Sequence, residues 1–261
     1  MKLGFLGPKG TFSFEAAKEY VKEQELMEYK TIKDIIIALK NGEIEEGIVP
    51  IENSLQGGVT ETIDSLVETE GIFIKKEIIL KIKQNLMANR KYKLDEIKEI
   101  YSHPQALAQC RNYIEKNLHN VTINQVSSTA LAAKEIKNKD YCACIANKSC
   151  IEEYGLEMLE SNIQDNNFNQ TKFWVLTQNA NEEGNKMSII FSVKHKAGAL
   201  YNVLGLFYKN NINLTKIESR PAKTVLGEYI FLVDLEVNEN IGETIENLKK
   251  ECNYIKILGR Y

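Results

Sequence analysis

The sequence contains no long apolar run. None of its hydrophobic stretches approaches the roughly 20 residues that a helix needs to cross a bilayer. The first apolar stretch, residues 2–6, is broken at once by Gly7 and Pro8, which is too short for a signal peptide. These absences predict a cytoplasmic protein that has no membrane partner.

The chain also lacks a surplus of charge of either sign. Lys and Arg number 33 and Asp and Glu 36, which gives a net charge of −3 with both signs interspersed. A nucleic-acid-binding surface needs a basic cluster, and the sequence contains none. We therefore expect a small molecule or a second copy of the chain as the partner, and no nucleic acid.

Cysteine and histidine are too few and too irregularly spaced for a disulfide framework or a zinc site. The five cysteines are an odd number, which indicates reduced thiols. Cys142 and Cys144 form a C-x-C pair, but small apolar neighbours favour packing in a core over metal binding. The three histidines have no zinc spacing with these thiols, so we predict no metal.

Alternating strand and helix patterns fill the first 180 residues and predict an α/β fold with largely parallel sheets. Strands are predicted at 2–6, 46–51, 72–82, 99–101, 121–125, 141–146 and 173–176. Helices are predicted at 12–22, 32–41, 59–69, 104–117 and 129–138. The polar stretch 178–185 is predicted to be a linker.

Beyond the linker the pattern changes to a compact βαββαβ unit. The predicted order is strand 187–193, helix 198–209, strands 212–218 and 228–236, helix 241–252 and strand 254–258. This order is that of the ferredoxin-like split βαβ motif. Because small sheets of this kind commonly pair across a two-fold axis, a homodimer is the default expectation.

Four loop-to-helix junctions carry small polar side chains where an anion could bind. They lie at residues 7–11, 52–58, 102–105 and 127–129. A helix amino terminus presents unpaired N–H groups and about half a positive charge, so several of them at one cleft would hold carboxylates. Helix capping is the alternative at each junction, with Ser102 and Gln105 matching a capping box and Ser128 and Thr129 matching caps. Asn53 has a turn as its alternative role.

The segment Thr171-Lys172-Phe173 places a hydroxyl beside a positive charge at the start of a buried strand. This segment and four others resemble, in chain order, the motifs of prephenate dehydratases. The four others are Gly-Pro-Lys-Gly-Thr-Phe-Ser at 7–13, Pro-Ile-Glu-Asn-Ser at 50–54, Ser-His-Pro-Gln-Ala-Leu-Ala-Gln-Cys at 102–110 and Ser-Thr-Ala at 128–130. Gly-Ala-Leu at 198–200 and Glu-Ser-Arg-Pro at 218–221 resemble motifs of the regulatory ACT domain of that family.

The resemblance implies a catalytic region at 1–178, with two lobes like a type II periplasmic binding protein, and an ACT domain at 186–261. The first lobe would comprise about 1–80 and 163–178, and the second about 81–162, with crossings near 77–83 and 160–168. The implied reaction converts prephenate to phenylpyruvate with no cofactor. L-phenylalanine would be the allosteric effector, and the chain would form a homodimer or homotetramer.

The resemblance also implies the site residues. Thr171 would donate a hydrogen bond or proton to the departing hydroxyl. The implied substrate-binding residues are Thr11, Asn53, Ser54, Ser102, Gln109, Ser128, Thr129, Lys172 and Phe173. The implied phenylalanine-binding residues are Gly198, Ala199, Leu200, Asn202, Glu218, Ser219, Arg220 and Pro221.

Lys172 departs from the family pattern, which has Arg at this position. Lysine is a hydrated point charge without the planar fork with which Arg grips a carboxylate. If Lys172 binds substrate directly, we expect activity with a raised KM. Two alternatives remain open from the sequence: an arogenate dehydratase, and a non-catalytic aromatic-acid sensor. Because the sequence shows no amino-terminal mutase helix, we expect a monofunctional enzyme.

Overall fold

Three sheets organise the part of the chain that the computed structural model describes, which is residues 2–21, 25–222 and 228–261. In chain order the strands β1 to β15 are Lys2–Leu6, Glu25–Tyr29, Glu46–Asn53, Gly57–Gly58, Phe73–Lys81, Asn85–Ala88, Glu99–Ser102, Thr122–Gln125, Cys142–Ala146, Glu157–Glu160, Gln170–Thr177, Lys186–Val193, Leu214–Pro221, Tyr229–Glu236 and Cys252–Arg260. The helices α1 to α9 are Phe12–Tyr20, Ile32–Lys40, Thr60–Glu68, Pro104–Gln109, Arg111–Asn117, Thr129–Ile136, Ser149–Tyr154, Ala199–Lys209 and Ile241–Glu251. Within these ranges no helix is both long enough and apolar enough to span a membrane.

The first lobe is built on a mixed sheet with the strand order β2-β1-β3-β11-β5. β1 runs parallel to β2 and β3, whereas β11 runs antiparallel to both β3 and β5. The expectation of largely parallel sheets is wrong here, because β11 enters from the second lobe against the direction of its neighbours. β11 lies between β3 and β5, and both of its faces are covered, because Trp174, Val175 and Leu176 are fully buried.

The second lobe has the sheet order β10-β6-β9-β7-β8. The chain enters this lobe through residues 82–84 and leaves it through residues 161–169. The two crossings lie side by side, because the Ile82 amide donates to the Asn169 carbonyl at 2.9 Å and the Ile163 amide donates to the Gln84 carbonyl at 2.9 Å. A double crossing of this kind is the geometry of a hinge between two lobes.

Local sequence explains most helix boundaries. Thr11 caps α1 and Ser128 caps α6, each accepting a hydrogen bond from a backbone amide three residues on. The predicted helix 104–117 is instead two helices, because Cys110 leaves the helical conformation at φ −117° and ψ 19°. The predicted helix 12–22 ends at Tyr20, and its last predicted residue, Lys22, lies outside the described residues. Strands β2, β4, β6 and β10 and helix α7 were not predicted.

The third sheet has the order β13-β14-β12-β15 and is antiparallel throughout. The βαββαβ order predicted for this unit is confirmed. One face of the sheet packs on α8 and α9 in a core that includes Phe191, Phe207 and Leu248. The opposite face packs on the first lobe, where the side chains of Ile190 and Leu232 share a core with those around α3.

Candidate functional site

A cleft with a volume of about 290 Å³ opens between the two lobes. All four predicted loop-to-helix junctions reach it. The predicted site residues that line the cleft are Thr11, Asn53, Gln109, Ser128, Thr129, Thr171 and Phe173. The structure therefore brings together seven of the ten residues that the sequence assigned to substrate binding and catalysis.

Thr171 is held in a fixed orientation by its cross-strand partner Asn53. The Asn53 Nδ2 atom donates to the Thr171 Oγ1 atom at 2.9 Å, and both side chains are buried to nine-tenths. Asn53 is itself fixed, since its Oδ1 atom accepts from the amides of Leu55 and Gln56 at 3.0 and 3.2 Å. Because the Thr171 oxygen accepts from Asn53, its hydroxyl hydrogen is free to donate into the cleft.

The cleft attracts anions through backbone dipoles. The first turns of α1 and α6 border it at Thr11 and Ser128, and α3 begins beside its lining residue Val59. Among the described residues that line the cleft there is no Lys or Arg. Helix amino termini are therefore the source of positive potential at the lining of this cleft. Both capping hydroxyls already make hydrogen bonds. Ser128 Oγ accepts from the Leu131 amide at 3.0 Å, and Thr11 Oγ1 accepts from the Phe14 amide at 3.2 Å and donates to the Leu6 carbonyl at 3.0 Å.

Ser102 does not line the cleft, which corrects two predictions. It is the last residue of β7, is fully buried, and donates from Oγ to the Ile145 carbonyl at 2.6 Å. The predicted capping box with Gln105 does not form, because β7 extends through Ser102 and His103 becomes the cap of α4. Ser102 thus ties β7 to β9 under the cleft floor.

His103 is a cleft residue that the sequence analysis left out of the predicted site. Its Nδ1 atom accepts a hydrogen bond from the Gln105 amide at 3.2 Å, so the neutral ring carries its hydrogen on Nε2. Gln105 also lines the cleft. The signal that was available is the Ser-His-Pro-Gln motif itself, in which His103 and Gln105 rather than Ser102 are oriented toward the ligand space.

Gln84 was also missed, although it borders the cleft at the hinge. Its Nε2 atom donates to the Gln109 Oε1 atom at 3.1 Å, which orients the Gln109 amide group. The backbone N–H of Gln84 donates to the Gln164 Oε1 atom at 2.9 Å, which fixes Gln84 at the hinge. No sequence pattern marked this residue, because it lies in the short crossing between β5 and β6.

Ser54 lies at the cleft edge without lining it. Its Oγ atom donates to the Phe168 carbonyl at 3.3 Å and accepts from the Gln170 amide at 3.0 Å. These bonds attach the turn after β3 to the crossing that leads into β11. The predicted role of Ser54 in substrate binding is therefore not supported by its position.

Lys172 faces away from the cleft, so the prediction that it contacts substrate is wrong for this structure. Successive side chains of a strand point to opposite faces, and Lys172 shares its face with Trp174 while Thr171 and Phe173 face the cleft. Its Nζ atom lies 3.4 Å from Glu52, 3.6 Å from Glu77 and 3.7 Å from Asp234. Burial alone would lower the pKa of Lys172, but the three carboxylates outweigh it and hold that pKa above its usual value.

The carboxyl-terminal unit has a separate cavity of about 290 Å³ at the start of α8. Gly198 begins the helix at φ +80°, a conformation that favours glycine. The cavity residues are Val193, Lys194, His195, Lys196, Gly198, Ala199, Leu200, Tyr201, Glu228, Tyr229 and Phe231. Three predicted effector-binding residues, Gly198, Ala199 and Leu200, are thus together. Asn202 does not line the cavity, and its side chain is exposed on α8.

The predicted motif at 218–221 does not reach that cavity. Glu218 and Arg220 point toward the first lobe, and Arg220 contacts the Asp64 carboxylate and the Thr60 carbonyl, both at 2.6 Å. Ser219 and Pro221, on the other face of β13, are exposed. The motif and Gly198 therefore lie apart within one chain, because β13 is an edge strand of the sheet and α8 begins beside β12 and β14. Their assignment to an effector site at a subunit interface, which would join residues of two chains, stays a prediction.

Acidic, cysteine and histidine side chains do not assemble into a metal centre in the described ranges, where no cluster of three or more such groups occurs. Burial instead raises the pKa of the Cys110 and Cys150 thiols to about 12. Both thiols are buried core groups, and so are those of Cys142 and Cys144, as the small apolar neighbours of the C-x-C pair predicted.

Comparisons with known proteins agree with this architecture. The family model described as prephenate dehydratase matches residues 3–181, and that of the ACT domain matches residues 187–253. A prephenate dehydratase of Methanocaldococcus jannaschii is 40% identical over 266 residues, which cover 97% of this chain and 95% of that protein.

Solved structures give the same result. The structure of prephenate dehydratase from Arthrobacter aurescens in complex with L-Phe is 29% identical, with a TM-score of 0.90 over 99% of this chain and 89% of that one. GqqA, described as a novel type of quorum quenching acylase, has a TM-score of 0.90 at 25% identity over 99% of this chain and 97% of its own. The fold alone therefore does not determine the reaction. The match of residues 3–181 to the prephenate dehydratase model, with that of residues 187–253 to the ACT model, places this chain in the prephenate dehydratase family, with an ACT domain following the catalytic region.

Proposed function

We propose that this protein is a prephenate dehydratase, which removes water and carbon dioxide from prephenate to give phenylpyruvate. Family membership supports the reaction, and one observation supports it at the site. Thr171, oriented by Asn53, directs a free hydroxyl hydrogen into a cleft bordered by helix amino termini. The catalytic region would comprise residues 1–178 and the regulatory domain residues 186–261.

The reaction needs a proton at one end of the ring and release of a carboxylate at the other. The bond between the ring and the departing carboxylate breaks, and its electron pair moves into the ring as carbon dioxide leaves. The carbon–oxygen bond to the ring hydroxyl breaks at the opposite carbon, and that hydroxide accepts a proton to leave as water. Aromatisation of the ring provides the driving force.

Thr171 supplies the hydrogen bond or proton to the departing oxygen. A threonine hydroxyl is a weak acid, so it depends on the fixed dipoles around it in a cleft that excludes water. The hydrogen bond from Asn53 fits that role, because it withdraws electron density from the threonine oxygen. His103, with its hydrogen on Nε2, is a second donor within the same cleft.

The two carboxylates of the substrate are held without cationic side chains. The amino termini of α1 and α6, with the hydroxyls of Ser128 and Thr129, provide donors on both lobes, whereas the Thr11 hydroxyl already donates to the Leu6 carbonyl. Gln109, oriented by Gln84, adds an amide donor from the second lobe. A ligand that bridges donors on both lobes favours lobe closure about the double crossing.

Phenylalanine is the effector that we propose for the cavity at Gly198. The open backbone at Gly198 suits the carboxylate of an amino acid, and Phe231 and Leu200 supply apolar surface for a ring. The L-Phe complex of the Arthrobacter aurescens relative supports this choice. A homodimer or homotetramer is the expected assembly, and the exposed Tyr201 and Tyr208 on α8 fit an interface. We also propose that the protein is cytoplasmic.

The test is the formation of phenylpyruvate from prephenate by the purified protein, with and without phenylalanine. Turnover that phenylalanine suppresses supports both parts of the proposal. Parallel turnover of arogenate, which has an ammonium group in place of the keto oxygen, distinguishes an arogenate dehydratase by a higher kcat/KM. Prephenate binding without turnover would point instead to a sensor.

A further inference from the structure

We propose that Lys172 and Glu52 are positioning residues that hold Thr171 and Asn53 in place from behind the sheet, and that the ACT domain acts on the cleft through them. This inference rests on the proposed function, since it assigns a route by which the effector domain reaches the reacting groups.

The four residues form two back-to-back cross-strand pairs. Thr171 pairs with Asn53 and Lys172 with Glu52 in adjacent register positions of β11 and β3. The first pair faces the cleft and is joined at 2.9 Å, whereas the second faces the ACT domain and is joined at 3.4 Å. The register between β11 and β3 shifts just after Lys172. At such an irregularity the backbone ladder constrains the strand less, so side-chain pairs contribute more to its position.

Groups of the ACT domain complete the charge cluster on that face. Lys216 of β13 lies 3.1 Å from Glu52, and Asp234 of β14 lies 3.7 Å from Lys172. Asp234 is fully buried, and its Oδ2 atom has no hydrogen-bond partner among the described residues, so the Lys172 ammonium at 3.7 Å is its ionic neighbour there. A buried carboxylate in this setting depends strongly on its counter-charge, so a movement of either sheet changes the energy of the cluster.

The cluster also extends to the loop that forms one wall of the cleft. Lys216 lies 3.1 Å from Glu218, and the Glu218 carboxylate occupies the space that a side chain on Gly58 would need. Gly58 pairs with Glu52 and lies between the cleft residues Gln56 and Val59. The Glu218 motif therefore contacts the wall of the catalytic cleft from the outside, next to the lining residue Val59.

A positioning role explains why lysine is tolerated at position 172. Direct recognition of a substrate carboxylate favours the planar fork of arginine. A point charge among the three carboxylates of Glu52, Glu77 and Asp234 has no such geometric demand, because all three are reached by one ammonium group.

The experiment compares Lys172→Met, Lys172→Arg and Asp234→Asn with the intact protein. We expect Lys172→Met to lower kcat by about tenfold or more with KM for prephenate within about threefold, and Lys172→Arg to restore kcat. A KM increase of about tenfold at unchanged kcat would instead identify Lys172 as a substrate ligand and overturn the proposal.

Asp234→Asn tests the link to the ACT domain with a substitution that lies within that domain. We expect Asp234→Asn to reduce the maximal effect of phenylalanine on kcat/KM by about fivefold or more. The double variant with Lys172→Met should lose no more of that effect than whichever of the two single variants loses more. Lys256→Met is the matched control, because Lys256 also joins the domains, donating to the Leu66 and Thr69 carbonyls at 2.7 and 2.6 Å, away from this cluster. Equal phenylalanine responses in Asp234→Asn and the intact protein would overturn the link.

Hydrogen exchange of the ligand-free protein separates this inference from the proposed reaction. Asp234→Asn should speed exchange at the amides of residues 52–56 and 170–172, whereas Lys256→Met should leave them unchanged. Faster exchange in a protein without prephenate turnover would refute the proposed function and keep the positioning role. Unchanged exchange in an active enzyme would refute the positioning role alone.

Discussion

Asn53, at the end of β3, donates a hydrogen bond of 2.9 Å to Thr171 in the neighbouring strand β11. The amide thereby fixes the direction in which the threonine hydroxyl points. Because the bond from Asn53 occupies one lone pair of the threonine oxygen, it limits the directions in which the hydroxyl hydrogen points, and we expect the two residues to act as one unit in the cleft.

Replacing Thr171 with Val removes the hydroxyl while keeping the shape of the side chain. We expect kcat to fall by about 100- to 1,000-fold, the cost of losing one preorganised donor in an active site. Steady-state kinetics measures the fall, and Thr171→Ser, which retains the hydroxyl, should keep most of the activity. Near-normal kcat in Thr171→Val would exclude this residue as the donor.

Asn53→Asp tests the coupling between the pair. The carboxylate cannot donate, so the Thr171 hydroxyl will turn to donate to it and will no longer serve the substrate. We expect a loss in kcat of about 100-fold, and the double variant with Thr171→Val should be no more than about threefold worse than Thr171→Val alone. Ser54→Ala is the neighbouring control, since Ser54 lies outside the cleft lining. Additive losses would show that the two residues act independently.

Gly198→Val tests the effector cavity. A branched side chain is strained at φ +80° and projects where an amino-acid ligand would bind, so the response to phenylalanine should disappear while uninhibited turnover stays within about twofold. Calorimetric titration with phenylalanine and kinetics measure the two effects. Gly205→Ala in α8 is the control, because the space around Gly205 is open and alanine favours the helix. If turnover is lost together with the response, the variant is misfolded and Gly198→Ala replaces it.

Acidification should weaken the contact between the ACT domain and the first lobe. Burial alone would raise the pKa of Glu52, but Lys216 and Lys172 outweigh it and the pKa lies below its ordinary value of 4.5. The stability that ionised Glu52 contributes is therefore present above pH 4.5 and is lost as the pH falls through the lowered pKa. Urea unfolding between pH 7 and pH 3 measures this effect. The difference between the intact protein and Glu52→Gln should shrink across that window, whereas a constant difference would contradict the role of the charge.

The sequence predicted helices and strands best where the spacing of apolar residues fitted only one type of secondary structure. The isoleucines of α2 recur at helical spacing, and Ile32, Ile35, Ile36 and Leu39 are all buried. The strands β6 and β10 were missed because neither contains a β-branched or aromatic residue, whereas β7 and β8, which are equally short, each contain an isoleucine and were predicted.

Within the site, prediction failed where tertiary contacts decided between two roles. Ser102 fitted a cap by its spacing from Gln105, but an extra strand residue buried it against Ile145. The alternation of β11 already indicated that Lys172 and Thr171 face opposite ways. It could not indicate which face the ACT domain covers, because Phe173 and Trp174 are equally apolar and both buried.

The position of β11 has a consequence for how the protein is made. This strand lies between β3 and β5, yet it follows them by the whole of the second lobe. During synthesis the sheet of the first lobe therefore stays incomplete between β3 and β5 until residue 177 has left the ribosome. Its apolar strand edges are exposed throughout that interval, which is the situation in which nascent chains aggregate or bind chaperones. The second lobe, whose strands are contiguous in the chain, is the part that can fold first.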